Sequence, residues 1–130
     1  MSFAGVRALI VEDDQSWQQI LSEILTDTGL TVDVAENLET AVALLRATHY
    51  QLAVVDLALN SSDHHNQDGL RVLDAARRHD PGCVPLLLTG FATPQISDRA
   101  LTEHGASVCM RKESFRRSDF RELVNRVLAD

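Results

Sequence analysis

Acidic residues follow two apolar runs of the sequence, at the points where buried strands would end. Residues 52–55 (LAVV) are followed by Asp56, and residues 8–11 (ALIV) are followed by Glu12 and Asp13. The carboxyl ends of parallel strands meet at one edge of a sheet, and open α/β sheets bind their ligands at that edge. These carboxylates are therefore expected to share one pocket.

An acidic pocket at a strand edge suits phosphoryl chemistry with a divalent ion. Crowded carboxylates repel one another, which raises the pKa of at least one of them unless a cation intervenes. Mg²⁺ binds one or two carboxylates and keeps waters and phosphate oxygens as its other ligands. An aspartate can also be the nucleophile itself and form an aspartyl phosphate.

Two further strand ends add a hydroxyl and an amine to this edge. Thr89 closes the apolar segment 85–89, and Lys112 comes just after the short segment 107–110. A lysine beside carboxylates can neutralise their charge or hold a phosphoryl group, and a neighbouring hydroxyl can bond the same oxygens. The ends of four predicted strands therefore converge on one candidate site.

The composition indicates a single globular domain. The chain has 130 residues, of which 45% are hydrophobic and 24% are charged, as in ordinary soluble domains. Its formal net charge of −7 argues against direct nucleic acid binding, because that affinity comes largely from basic residues on phosphates. No apolar run approaches the roughly 20 residues that span a bilayer, so no membrane contact is expected.

The cysteines and the N-terminus favour a cytoplasmic protein. Cys83 and Cys109 lie in unrelated contexts without metal-ligand spacing, and we interpret both as reduced thiols in or near the core. Residues 1–5 lack the charged start and the long apolar stretch of a signal peptide.

Strands and helices alternate five times along the chain. Strands are predicted over residues 8–11, 31–35, 52–56, 85–89 and 107–110. Helices are predicted over residues 16–28, after an Asn37 N-cap, over residues 70–79, from Thr93-Pro94 to about residue 104, and after a Ser118 N-cap. This alternation implies a parallel sheet with helices on both faces, in which residues 31–35 form a half-buried edge strand.

Five short motifs, in order along the chain, resemble those of response-regulator receiver domains. They are residues 11–14 (VEDD), 55–57 (VDL), 68–70 (DGL), 88–90 (LTG) and Lys112. Each motif is weak alone, but the five together cover essentially the whole chain. The resemblance implies a single receiver domain over residues 1–130, with an α/β, doubly wound, five-stranded parallel sheet of the flavodoxin-like order 2-1-3-4-5.

The resemblance also implies a role for each residue of the pocket. Asp56 would be the phosphoacceptor, Lys112 would contact the phosphoryl group, and Thr89 would be the switch hydroxyl that moves toward it. Mg²⁺ would be bound by four residues, namely Glu12 (through a water), Asp13, Asp56 and Ala58 (through its carbonyl).

The function implied is that of a phosphoacceptor switch in a two-component or phosphorelay pathway, and not that of an enzyme. A sensor histidine kinase or phosphotransfer protein would supply the phosphoryl group from a phosphohistidine, and slow self-dephosphorylation is expected. A downstream effector protein or domain would read the surface of the fourth helix, fifth strand and fifth helix. A homodimer would form through the same surface.

Three features depart from the family pattern. The usual proline after the lysine is replaced by Glu113, and a cis bond to a non-proline residue costs roughly 2.5–4 kcal/mol, so we expect a trans or strained bond there. The loop of residues 60–69 is longer than usual, and its His64-His65 pair is interpreted as solvated and not metal-binding. Cys109 stands at the usual aromatic switch position, so other contacts would relay the signal.

Two other classes of function remain open. A receiver-like protein-binding module that is not phosphorylated is compatible with Glu113 and Cys109. A Mg²⁺-dependent aspartyl phosphohydrolase is disfavoured, because that class needs a second acid two residues after the nucleophile, where this chain has Ala58. Two of the candidate site residues could also have no part in chemistry. Lys112 could belong to a solvated basic face, and Glu12 could merely favour the start of the first helix electrostatically.

Overall fold

A computed structural model of the chain describes residues 3–60, 62, 63, 65–90 and 92–129. The described strands are β1 (Arg7–Val11), β2 (Thr31–Ala35), β3 (Leu52–Val55), β4 (Val84–Thr89) and β5 (Val108–Arg111). The described α-helices are α1 (Gln15–Thr28), α2 (Leu38–Ala47), α3 (Asp68–His79), α4 (Pro94–Glu103) and α5 (Arg117–Ala129). A short 3₁₀ helix, Lys112–Ser114, lies between β5 and α5.

The strands form one parallel sheet in the order β2-β1-β3-β4-β5. This confirms the expected doubly wound, flavodoxin-like α/β fold, with β2 as an edge strand. The strand order reverses between β1 and β3, and ligands of such sheets bind at the carboxyl ends of the strands beside this reversal. Glu12 and Asp56 come directly after these two strands.

Each face of the sheet has its own apolar core, because successive residues of a strand point to opposite faces. On one face, Leu9 and Val11 pack in a buried cluster with residues of α2, α3 and α4. On the other face, Ala8 and Ile10 pack with residues of α1 and α5. Strands buried on both faces must be apolar throughout, which explains the uninterrupted runs in the sequence.

Local capping interactions fix most of the helix ends. The Asp14 side chain accepts hydrogen bonds from the N–H groups of Ser16 and Trp17 at the start of α1. Gly29 ends α1 in the left-handed region, with φ at 105°. Asn37 caps α2 and Thr93 caps α4, and both predictions are confirmed.

The start of the last helix was predicted wrongly. Helix α5 begins at Arg117, and the Phe120 N–H donates to the Arg116 carbonyl, so Ser118 lies inside the helix and is not its N-cap. Phe120 is 1% exposed and packs against Phe115. Burying a phenylalanine stabilises by about 1.5–3 kcal/mol, more than the roughly 1 kcal/mol of a serine cap.

Other boundaries differ from the predictions by one or two residues. Helix α3 begins at Asp68 and not at residue 70, and β4 begins at Val84, which makes Pro85 its second residue. The bond between Lys112 and Glu113 is trans, as expected, and the described residues contain no cis peptide bond. Both cysteines are free thiols, with Cys83 buried and Cys109 partly buried, as predicted.

Candidate functional site

The two main carboxylates of the site are fixed by backbone bonds that continue the sheet. The Asp56 N–H donates to the Val11 carbonyl at 2.9 Å, and the Glu12 N–H donates to the Ala35 carbonyl at 3.0 Å. Both acids thus sit one residue beyond the last strand residue, where the parallel strands end together. The convergence expected from the sequence is therefore present.

Lys112 joins the two carboxylates. Its Nζ donates to Glu12 Oε1 at 2.7 Å and to Asp56 Oδ2 at 3.1 Å. The Lys112 side chain is 17% exposed, and the side chains of Glu12 and Asp56 are 2% and 8% exposed. The reading of Lys112 as part of a solvated basic face is therefore wrong.

One oxygen of each carboxylate is left without a partner. Within the described part of the chain, Glu12 Oε2 and Asp56 Oδ1 are buried and accept no hydrogen bond. Leaving a buried charged oxygen unsatisfied is costly, so such atoms in a native fold need an explanation. These two point to a ligand that the protein alone does not provide.

The electrostatics of the pocket favour a cation. Burial raises the pKa of Glu12, the adjacent Asp56 carboxylate raises it further, and Lys112 only partly offsets both effects. Burial alone would lower the pKa of Lys112, but its hydrogen bond to Glu12 and the charge of Asp56 outweigh that effect and raise it. One ammonium therefore does not fully compensate the crowded carboxylates.

A divalent metal ion fits the donors that the pocket offers. Glu12, Asp13 and Asp56 each present a carboxylate oxygen, and the three atoms lie within 4.8 Å of one another. Asp13 is more exposed than the other two, which leaves a side open for waters or phosphate oxygens. Hard oxygen ligands with open positions are what Mg²⁺ requires. In the described residues this is the one cluster of potential metal ligands, and it does not include His65.

Two other predicted site residues flank the pocket. Thr89 ends β4 and is 2% exposed, two residues beyond Leu87, the register partner of Val55. Ala58 lies two residues after Asp56 and is 6% exposed. The parts of Thr89 in switching and of the Ala58 carbonyl in metal binding stay predictions.

The structure also places the residues that depart from the family pattern. Glu113 is exposed and pairs with Arg111, from Arg111 Nε to Glu113 Oε1 at 2.6 Å. Cys109 is partly buried, and its Sγ lies 3.6 Å from the Ser97 carbonyl oxygen of α4. In the loop, His65 is exposed, and the prediction for His64 lies outside the described residues.

Sequence reasoning gave no role to Gly69, which the site requires. The Gly69 N–H donates to the Leu57 carbonyl at 2.8 Å. A Cβ atom at Gly69 would lie 2.2 Å from the Asp56 carbonyl oxygen and 2.6 Å from Leu57 Cα. Only glycine lets the start of α3 come this close to the backbone that carries Asp56. The motif DGL was recognised, but its steric reason depends on the packed helix.

Trp17, for which the sequence gives no site role, contacts the site directly. Lys112 Nζ lies 5.1 Å from the centroid of the Trp17 ring. The ring of Phe115 meets Trp17 edge-on, with centroids 5.1 Å apart. No sequence spacing signals this contact, because it joins α1 to the turn after β5.

Fold and site together define a receiver domain. The family model of the response regulator receiver domain matches residues 8–127, and the chain belongs to this family. Receiver domains of this kind serve two-component response regulators, typically bind Mg²⁺ through acidic residues, and interact with histidine kinases and effector domains.

Individual relatives agree with this assignment. The chain is 31% identical over 97 residues to a response regulator receiver protein of Anaeromyxobacter sp. (strain Fw109-5), covering 75% of this chain and 39% of that protein. It is 36% identical over 88 residues to the probable transcriptional regulatory protein SilR of Salmonella typhimurium, covering 68% of this chain and 36% of that protein. The chain thus matches less than half the length of these curated relatives.

Solved structures share the fold. A CheY-like response regulator receiver domain protein from Methanospirillum hungatei JF-1 matches with a TM-score of 0.85 and 26% identity, over 95% of this chain and 94% of that one. A response regulator from Burkholderia pseudomallei with a phosphorylated aspartic acid and a calcium ion matches with a TM-score of 0.76 and 24% identity, over 95% and 73% of the two chains. Among the residues that the structure describes, no helix has both the length and the apolar character to cross a bilayer.

Proposed function

We propose that this protein is a phosphoacceptor switch that takes a phosphoryl group onto Asp56 in a two-component or phosphorelay pathway. The observation that carries the proposal is the buried Asp56 carboxylate, in which Lys112 donates to Oδ2 at 3.1 Å and Oδ1 accepts no hydrogen bond from any residue that the structure describes. A carboxylate with one oxygen held by a lysine and the other unbonded keeps a lone pair that could attack phosphorus.

The donor would be a phosphohistidine of a sensor histidine kinase or of a phosphotransfer protein. An Asp56 oxygen forms a bond to phosphorus as the bond from phosphorus to the donor imidazole nitrogen breaks, and the electron pair of that bond stays on the imidazole. Lys112 stabilises the charge on the transferring oxygens, because catalysis of this transfer is mostly positioning and electrostatics. The Thr89 hydroxyl would bond one of the same oxygens after transfer.

The residues that would hold Mg²⁺ are Glu12, Asp13, Asp56 and the Ala58 carbonyl. When bound, the ion would supply positive charge for the phosphoryl oxygens and for the crowded acids. Glu12 is the most deeply buried of the three acids, and we expect it to bind the ion through a water and not directly. Asp13 is partly exposed, so an ion bound to it could keep waters and phosphate oxygens among its ligands.

The new phosphoryl group would act through the surface formed by α4, β5 and α5. A phosphoryl group adds charge and strong acceptors, and a segment near Thr89 would reorganise around it. Cys109 cannot swing a ring, so the contact between its Sγ and the Ser97 carbonyl is a candidate link from β5 to α4. A downstream effector, or a second copy of the chain, would read the change.

Acetyl phosphate with Mg²⁺, followed by intact mass measurement, tests the proposal. Wild-type protein is expected to gain one phosphoryl adduct that hydrolyses slowly, and EDTA is expected to prevent it. Asp56→Asn is expected to gain none. Asp80→Asn is a matched control, because Asp80 is an equally buried acid far along the chain from the site.

Each contrary result has a distinct meaning. An adduct that survives Asp56→Asn would place the acceptor elsewhere. Folded wild type that gains no adduct would support the protein-binding module instead. Steady turnover of a small phosphoester would support the phosphohydrolase.

A further inference from the structure

The only lysine and the only tryptophan of the chain contact each other at the site. Lys112 Nζ lies over the Trp17 ring, 5.1 Å from its centroid. The same ammonium donates to Glu12 and Asp56. An ammonium has three donors, so the indole face occupies the side of Lys112 that the two carboxylates leave open.

The position of Trp17 is fixed by the same strand end that carries the acids. The Trp17 N–H donates to Asp14 Oδ1 at 3.2 Å. The Gln18 side chain, next to Trp17, donates from Nε2 to the Glu12 carbonyl at 2.7 Å. The first turn of α1 is therefore tied to residues 12 and 14, and the indole keeps a set distance from the carboxylates.

Trp17 also holds the turn that carries Lys112. After Lys112 the chain makes one 3₁₀ turn, in which the Phe115 N–H donates to the Lys112 carbonyl at 3.2 Å. Phe115 then packs edge-on against Trp17 and, at 5.5 Å between centroids, against the buried Phe120 of α5. Trp17 thus contacts both ends of the turn, the Lys112 ammonium and the Phe115 ring.

The indole ring restrains the direction in which the Lys112 side chain points. A cation over an aromatic face is attracted by the ring quadrupole, and the attraction grows when the pair is shielded from water. The Lys112 side chain is 17% exposed, so the pair is largely shielded. Without the ring, the flexible four-carbon stem of a lysine has many rotamers, and the peptide after Lys112 is an ordinary trans bond to Glu113 that restrains none of them.

We infer that Trp17 is a positioning residue, which uses its ring to hold the Lys112 ammonium between Glu12 and Asp56. The role rests on the proposed phosphoryl transfer for its purpose, but the contact can be measured without it. Trp17 does not touch the phosphoryl group and acts only through Lys112.

The first test uses the fact that the chain has one lysine. Protein labelled with ¹³C-lysine gives a single set of side-chain NMR signals, all from Lys112. In wild type the Hε signals are expected upfield, because the ammonium nitrogen bonded to Cε lies over the Trp17 ring. Trp17→Phe is expected to keep part of this shift, and Trp17→Leu is expected to move the signals to the random-coil position.

The second test is a double-mutant cycle on the rate of phosphoryl uptake from acetyl phosphate. Trp17→Leu is expected to lower the maximal rate roughly tenfold, and Trp17→Phe to restore most of it. In a Lys112→Met background, Trp17→Leu is expected to change the already low rate no further, because its effect passes through the ammonium. Ile20→Ala is the matched control, since Ile20 packs against the same apolar cluster one turn along α1 but offers no ring.

The outcomes separate the two claims. Lysine signals that are the same in wild type and Trp17→Leu, or a Trp17→Leu loss that persists at full size without Lys112, would overturn the positioning role. A loss of rate in Ile20→Ala equal to that in Trp17→Leu would also overturn it, because general packing of α1 would then explain both losses. If wild type takes up no phosphoryl group but shows the ring-shifted lysine, the positioning role stands and the proposed function fails.

Discussion

Asp80, near the amino ends of the strands, and Asp56, at the carboxyl ends, are about equally buried, at 5% and 7% exposed. Both oxygens of Asp80 are bonded. Oδ2 accepts from the Tyr50 N–H at 2.7 Å, and Oδ1 lies 2.6 Å from His49 Nδ1. Asp56 has one oxygen bonded to Lys112 and the other buried without a partner among the described residues.

A second acid, Asp33 in the middle of β2, is also held by partners within the fold. Asp33 Oδ2 accepts from the Tyr50 hydroxyl at 2.6 Å and from Arg7 Nη2 at 3.0 Å. Its hydrogen bond with Tyr50 and the Arg7 guanidinium hold the pKa of Asp33 below its ordinary value, against a smaller effect of burial. Acids whose partners belong to the fold stabilise the fold, whereas acids with open oxygens are available to a ligand. The following predictions test this difference.

Removal of Asp80 should have the largest effect on stability. Asp80→Ala leaves the buried Tyr50 N–H without its acceptor and removes the contact to His49. We expect the free energy of unfolding to fall by about 4 kcal/mol. Urea denaturation followed by circular dichroism measures this. A loss below that of an average surface substitution would contradict the structural role of Asp80.

Most of the fold could be predicted from the sequence because its signals are local. Apolar runs define the buried strands, and side chains such as Asp14, Asn37 and Thr93 cap the helices that follow them. The polar residues that end the strands were recognisable because buried strands seldom end in acids. Their convergence followed from the parallel topology alone.

The remaining features depend on contacts between distant segments. Ser118 looked like a cap by its type, but the packing of Phe120 places the helix start earlier. Gly69 and Trp17 matter because α3 and the turn after β5 come close to them, and no local pattern encodes that approach. The unbonded oxygen of Asp56 was likewise visible only once its neighbours were placed.

Gly69 should be the most sensitive glycine at the carboxyl edge. Gly69→Ala would force a Cβ atom to within 2.2 Å of the Asp56 carbonyl oxygen, so the start of α3 or residues 56–57 must shift. We expect a loss of about 3 kcal/mol in the free energy of unfolding, and slower phosphoryl uptake as Asp56 moves.

Gly82→Ala provides the matched control for this substitution. A Cβ atom there would meet only the His49 ring carbon Cε1, at 3.6 Å, which is ordinary van der Waals contact. Its free energy of unfolding should stay within about 0.5 kcal/mol of wild type. Equal losses in both variants would show that glycine flexibility, and not the close approach at Asp56, sets the effect.

The hydrogen bond from the Tyr50 hydroxyl to Asp33 should also affect stability at alkaline pH. Burial, with the hydrogen bond and charge of Asp33, raises the pKa of Tyr50 from 10.0 to about 12. The folded state thus favours the neutral phenol, and this contribution is fully present below pH 10 and is lost as pH rises to about 12. The contribution is about 2 kcal/mol.

Comparison with Tyr50→Phe isolates this contribution. Wild type should lose stability more steeply than Tyr50→Phe as pH rises, so that the difference between the two proteins shrinks across this range. Urea midpoints at a series of alkaline pH values measure the difference. A constant difference would mean that Tyr50 titrates alike in the folded and unfolded states.

The smallest effect, with the opposite sign to that at Asp80, is expected at Asp56. Asp56→Asn removes a charge from a crowded, buried pair of carboxylates, while its amide oxygen still accepts from Lys112, which keeps its bond to Glu12. In metal-free buffer we therefore expect the free energy of unfolding to rise by about 1 kcal/mol. Added Mg²⁺ should stabilise wild type by about 2.7 kcal/mol at one hundred times its dissociation constant, and Asp56→Asn by much less. If Asp56→Asn instead destabilises the protein as Asp80→Ala does, the two ends of the sheet hold their acids for the same reason and the contrast drawn between them is wrong.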